Sequence, residues 1–202
     1  MSTLPILLDG AGLRVLVVGG GNVATRKTRQ FAQAGAIVRV VSPTLDPALE
    51  QLALEFAIEV ERRPYETGDI GDAQLVICAT NDRTANALVA RDAQADHRLL
   101  NAADHSTDGN FAMMATHHRG PLTIGVSAGG VPAAAIRIRD AIAERFDARY
   151  GDALAALGAL RRRTIASGDS EVWRARSAEL IDRHFCDAVE RGELPQRIAE
   201  WP

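Results

Sequence analysis

Unbroken apolar runs alternate with apolar residues at helical spacing along the first half of this chain. Arg14–Gly19 (RVLVVG) is a near-continuous apolar run, the pattern of a strand buried on both faces. Asn22–Gly35 follows at helical spacing: Val23, Phe31 and Ala34 can share a face, and Gly35 ends the helix. Ile37–Val41 is a second buried strand. Asp46 is placed to cap the next helix, with Pro47 at its first position and Leu49, Leu52 and Phe56 as its apolar stripe. Ile58–Arg62 and Ala73–Ala79 read as strands, Asp82 caps a helix reaching about Ala95, and Arg98–Ala103 is a fifth strand. This alternation predicts an α/β fold, a Rossmann-like parallel sheet with helices on both faces. The pattern then changes. FAMMATHHRGPLTIGVS reads as two strands around an Arg119-Gly120-Pro121 turn, before a helix from Pro132 to about Phe146. From Tyr150 onward the chain is helical, with a turn near Ser167-Gly168-Asp169. Three regions are expected: a sheet domain over 1–112, a small α+β region over 113–147 and a helical domain over 148–202.

The 202 residues are 47% hydrophobic, enough for a core, and the net charge of -3 supplies no global field for nucleic acid or an anionic membrane. Lys27 is the single lysine among many arginines. Cys78 and Cys186 lie far apart without a CxxC, so neither a disulfide framework nor a zinc site is expected. Cys78 reads as a small buried hydrophobe. His105, His117 and His118 have no zinc-like spacing with cysteine or glutamate. His117 and His118 read as capping a strand near the turn, and His97 and His184 as surface or helix-end residues. The N-terminus has no basic leader, and no run reaches the roughly 18–20 apolar residues of a membrane span. A cytoplasmic protein is the expectation.

Gly19-Gly20-Gly21-Asn22-Val23-Ala24 matches G-x-G-x-x-A, after a strand and opening a helix. In that context Gly19 permits the tight turn, Gly21 lets backbone approach a pyrophosphate, and Ala24 keeps the helix close to the sheet. The helix start favours an anion there. A structural glycine turn reads from the same residues. The second strand ends VVSPT without the acid that grips an NAD ribose, leaving Ser42 or Thr44 as weaker partners, and no basic residue follows to hold an NADP phosphate. Arg26 and Lys27 either point toward a second anionic ligand or form a solvated helix face.

Ligands of open α/β sheets bind at the carboxyl ends of strands. Thr80 and Asn81 should therefore lie beside a dinucleotide. Asp104, just past the fifth strand, is either a proton-handling carboxylate or a turn residue. The stretch 104–109 imitates the opening of a calcium loop, but Ser106 and Ala115 stand where that loop needs acidic ligands. Ser127-Ala128-Gly129-Gly130 precedes the helix from Pro132. It is a plain turn or a second anion site, with Arg137 and Arg139 within two turns.

Taken together, LPILLDGAGLRVLVVGGGNVATRK, AGAIVRVVSP, LVICATND, NAAD and GPLTIGVSAGG resemble the precorrin-2 dehydrogenases: the N-terminal module of siroheme synthases and its stand-alone relatives. The resemblance covers essentially the whole chain, most clearly Leu4 to Phe146. It implies oxidation of precorrin-2 to sirohydrochlorin with NAD as cofactor, on the way to siroheme or cobalamin. In some members it also implies insertion of Fe2+ or Co2+, the divalent metal being a substrate. It implies a homodimer, with 113–147 as dimerisation region. By the same resemblance Asp104 matches the active-site aspartate, and Asn22, Val23, Pro43 and Thr44 match NAD-contact positions. The VSP ending is usual in the family. Arg26, Lys27, Ser127, Gly129, Gly130 and Arg137 are the candidates for holding a tetrapyrrole with eight carboxylates. Ala128 stands where some members carry a phosphorylatable serine. With no methyltransferase segment before Pro202, the chain is not expected to make precorrin-2 itself. Two rival readings fit the same residues: a dinucleotide-binding regulatory module without catalysis, and a dehydrogenase for a small substrate, for which no clear His or Lys base is visible.

Overall fold

Each apolar run of the first half forms a strand, and each stretch of helical spacing a helix that returns the chain to the same end of the sheet. The computed structural model describes residues 3–103 and 109–201, which fall into two compact units, 1–113 and 114–202. In the first, β1 (Arg14–Val18), α1 (Asn22–Gln33), β2 (Ile37–Val41), α2 (Pro47–Glu55), β3 (Glu59–Glu61), β4 (Leu75–Cys78), α3 (Arg83–Ala95) and β5 (Leu99–Ala102) follow in order. The five strands are all parallel, in the order β3-β2-β1-β4-β5. The chain builds outward from β1 to β3, then crosses to β4. The order therefore reverses between β1 and β4, where open α/β sheets form their crevice.

Strand periodicity divides the core in two. Val15 and Val17 of β1, with Leu75 and Ile77 of β4, join Ala24 and Ala32 of α1 and Leu49 and Leu52 of α2 on one face. Leu16, Val18, Val76 and Cys78 point the other way and pack with Val89 and Ala93 of α3, Tyr65 and Ile70. The expected caps are present: Asp46 accepts from Ala48 N at 2.9 Å, and Asp82 from Thr84 N at 2.8 Å. Gly35 follows α1 with a φ of 82° and closes it, as expected. The buried face of α1 differs from the expectation. It consists of Ala24, Thr25, Lys27, Thr28 and Ala32, whereas Val23 and Ala34 are exposed and Phe31 is only partly covered. Small residues at i, i+4 and i+8 let the helix lie close on the sheet, and that turns the bulkier apolar positions aside.

In the second unit β6 (Ala115–Arg119) and β7 (Leu122–Val126) pair antiparallel. They are followed by α4 (Pro132–Arg145), α5 (Ala148–Ala166), α6 (Ser170–Leu180), α7 (Phe185–Glu190) and α8 (Leu194–Ala199). The hairpin and all five of these helices lie in the one unit, 114–202. Tyr150, Leu157 and Leu160 of α5 pack with Leu180, Val189 and Leu194, and Leu122 of the hairpin joins them. Gly151 explains the fit. A Cβ there would lie 2.8 Å from the Arg119 carbonyl, so only glycine lets α5 meet the hairpin turn. His117 is a buried strand residue whose Nε2 lies 2.6 Å from the Phe146 carbonyl, while the exposed His118 faces Thr123. His97 and His184 lie at helix ends, as expected.

Candidate active site

The glycine turn joins the carboxyl end of β1 to α1, at the switch point. Gly19 has a φ of 122°, and a Cβ there would stand 2.2 Å from the Ala79 carbonyl, so the turn is pressed against the end of β4. Gly20 is packed as tightly on its other side: a Cβ would meet the Thr44 carbonyl at 1.9 Å and Ser42 Oγ at 2.7 Å, and Asp46 N donates to the Gly20 carbonyl at 2.7 Å. Gly21 differs from both. Its φ is an ordinary -86°, and a Cβ there would meet nothing within 4 Å. The turn is thus closed behind by two glycines and open in front of the third, next to the unpaired N–H groups that begin α1. A diphosphate needs that arrangement, a bare convex backbone at a helix N-terminus. Asn22 and Val23 are exposed at its edge, and Ala24, fully buried, holds the helix against the sheet.

The end of β2 forms the neighbouring lip. Ser42 is buried and its hydroxyl donates to the Thr44 carbonyl at 2.7 Å, so it shapes the lip and keeps only acceptor capacity for a ribose. Pro43 and Thr44 are exposed. On the other side, Thr80 is engaged within its own turn. Its Oγ1 lies 2.6 Å from Asn86 Oδ1 and accepts from Asp82 N at 3.0 Å, while Asn86 Nδ2 donates to the Thr80 carbonyl at 3.1 Å. Cys78 Sγ reaches the same Asn86 oxygen at 3.0 Å. Asn81 is left exposed at the tip.

β5 completes the row. Asn101 is buried, and its Oδ1 accepts from Lys27 Nζ. The ammonium expected to face a second anion therefore points inward, toward the sheet, and only Arg26 stands exposed on that turn of α1. Nothing near Lys27 in the sequence marks this burial, because its partner lies 74 positions away. Asp104 and His105 fall in 104–108, outside the described residues. The chain is fixed on either side of that stretch: Ala103 N donates to the Cys78 carbonyl at 2.9 Å, and Asn110 N to the Leu100 carbonyl at 2.9 Å. The packing of Gly20 and the bonds of Asn86, Asn101 and Asn110 do not follow from the sequence pattern. A polar Asn inside the apolar run LLNA was the one available signal, since a buried amide demands partners.

Ser127, Gly129, Gly130 and Arg137 belong to the second unit. Gly129 and Gly130 both have positive φ, 55° and 87°, before α4, and Ser127 and Arg137 are exposed. Among the described residues no group of three or more His, Cys, Asp or Glu side chains could hold a metal ion, and no helix is long and apolar enough to cross a membrane.

Residues 6–115 match a family model described as “Putative NAD(P)-binding”. A precorrin-2 dehydrogenase of Priestia megaterium is 33% identical over 202 residues, covering 97% of this chain and 98% of its own. Siroheme synthases of Pseudomonas putida and Pseudomonas entomophila are 38% and 41% identical over 98% of this chain, which spans only 41% of their length. A solved precorrin-2 dehydrogenase, SirC, superposes with a TM-score of 0.77 at 28% identity, over 98% of this chain and all of its own.

Proposed function

Because this chain belongs to the precorrin-2 dehydrogenase and siroheme synthase family, we propose that it oxidises precorrin-2 to sirohydrochlorin with NAD. The observation that carries this reading is the turn at Gly19–Gly21, closed behind and open in front at the point where the strand order reverses. The bound dinucleotide would supply a hydride acceptor. The chain does the rest. The N–H groups of Gly21, Asn22 and Val23 bind the diphosphate. Pro43 and Thr44 line the ribose, with Ser42 shaping their lip, and the Thr80–Asn81 turn, braced by Asn86, borders the crevice. Asp104 accepts the proton that leaves the tetrapyrrole as the hydride departs, so two hydrogens are lost in all. Arg26 on α1 binds a substrate carboxylate, and Ser127, Gly129, Gly130 and Arg137, within their own unit, offer a separate turn suited to an anion. NAD is favoured over NADP because Ser42–Thr44 offers no cation for a 2′-phosphate. The protein acts in the cytoplasm as a homodimer, through residues 113–147.

Anaerobic mixtures of protein, precorrin-2 and either NAD+ or NADP+ test the reading. NADH should form with NAD+, NADPH much more slowly, and Asp104→Ala should lower kcat by about 10²-fold or more. Adding Fe2+ or Co2+ afterwards tests metal insertion, which would appear as a metallated product forming faster than without protein. Tight dinucleotide binding without reduction would favour a binding module instead.

A further inference from the structure

Lys27, the chain's only lysine, has no part in the proposed chemistry, yet it is just 8% exposed. A buried ammonium is costly unless its protons are taken up. Burial pulls its pKa below the usual lysine value, and the neighbouring Arg26 adds to that. The partner it reaches is the neutral side chain of Asn101. An ammonium only donates, so it dictates which end of the amide faces it. Oδ1 turns to Lys27, and Nδ2 is left to donate to the Phe111 carbonyl at 3.0 Å. That bond ties the segment returning past Gly109 to β5. Asn110 ties it again: its Oδ1 accepts from Leu100 N at 2.8 Å, and its Nδ2 donates to the Arg98 carbonyl at 3.0 Å. Gly109 lies so close that a Cβ would be 2.9 Å from the Leu100 carbonyl.

We propose that Lys27 is a positioning residue: its buried ammonium fixes the Asn101 amide and, through it, clamps residues 109–111 against β5, at the foot of the stretch that carries Asp104. The proposal rests on the dehydrogenase reading for its consequence in turnover, and on the clamp alone for its structural readout. It assigns α1 two tasks, an open N-terminus for the dinucleotide and, one turn later, a buried cation that steadies the strand on the far side of the crevice.

The test compares the full chain with Lys27→Met, which keeps the length and loses the donor, and with Lys27→Gln, which keeps an uncharged donor. Hydrogen exchange, NAD+ affinity, and kcat and KM for precorrin-2 are measured on each. In Lys27→Met, the amides of Asn110 and Phe111 should exchange at least tenfold faster, kcat should fall at least tenfold, and the NAD+ Kd and the KM should stay within threefold. Lys27→Gln should recover most of the protection and most of kcat. Asn101→Leu should slow turnover no further when added to Lys27→Met, since the two side chains act as one unit. Unchanged exchange at Asn110 and Phe111 in Lys27→Met overturns the clamp. If Lys27→Met does not fold, Lys27→Gln decides: protected amides with kcat lost would overturn the positioning role. A wild-type protein that shows the exchange pattern but never reduces NAD+ would sink the dehydrogenase reading and leave the clamp standing.

Discussion

Gly20 and Gly21 are neighbours in the motif and answer to different constraints. A Cβ at Gly20 would strike the Thr44 carbonyl at 1.9 Å, and backbone cannot swing aside as a side chain does. Gly20→Ala should therefore destabilise the protein by about 2 kcal/mol or more, seen as a lower midpoint in urea. Gly21→Ala meets open space at an ordinary φ, so it should leave the midpoint unchanged while raising the NAD+ Kd at least tenfold by calorimetry. Unaltered affinity would mean that the turn is structural only. A third residue tests backbone strain. His97 holds the left-handed position after α3 with a φ of 53°, a place glycine fills without cost. His97→Gly should raise stability by about 0.5–1 kcal/mol in the same measurement. The caps Asp46 and Asp82 were legible in the sequence because each acts on N–H groups two or three residues away. The burial of Lys27 was not, because its cause lies across the sheet.

At the level of elements, the β strands and most helix bounds follow from periodicity, since β1 and β4 are buried on both faces and must be apolar throughout. β3 was expected over five residues and pairs over three, Glu59–Glu61. It is an edge strand carrying charge, and charged edges resist further pairing. Its charges are used: Glu61 accepts from Arg39 of β2 at 2.5 Å and pairs with Arg63, which also holds Asp69 at 2.7 Å. The Arg63 guanidinium keeps the Asp69 carboxyl below its usual range. A depressed carboxyl pKa contributes stability above the unfolded value, near pH 4, and loses it as pH falls through the folded value. Asp69→Asn should thus cost about 1–3 kcal/mol at neutral pH. The difference from wild type should shrink steadily below about pH 4 in urea titrations, whereas a constant difference would contradict the ionic origin. The buried face of α1 departs from its hydropathy for a related reason: hydropathy favours Val23 and Phe31, but close packing on a sheet favours Ala24, Thr28 and Ala32.

Across the whole molecule, the chain divides into units 1–113 and 114–202. Within the second unit, Gly151 and Leu122 join the hairpin to α5 by contacts that leave no periodic trace in the sequence. The candidate site was legible where it depends on the glycine turn and opaque where it depends on the amides of Asn86, Asn101 and Asn110. Val131, Ile136 and Ile138 are exposed large apolar residues at and within α4, in keeping with the proposed dimer. Sedimentation equilibrium should give about twice the 21.6 kDa of one chain, and a monomer would contradict it. The most direct test of the central claim is a single-turnover, oxygen-free reaction of the protein with precorrin-2 and NAD+, counting both products. The account predicts one NADH for each sirohydrochlorin and none with either reactant withheld. Sirohydrochlorin formed without NADH, or NAD+ bound but never reduced, would contradict it.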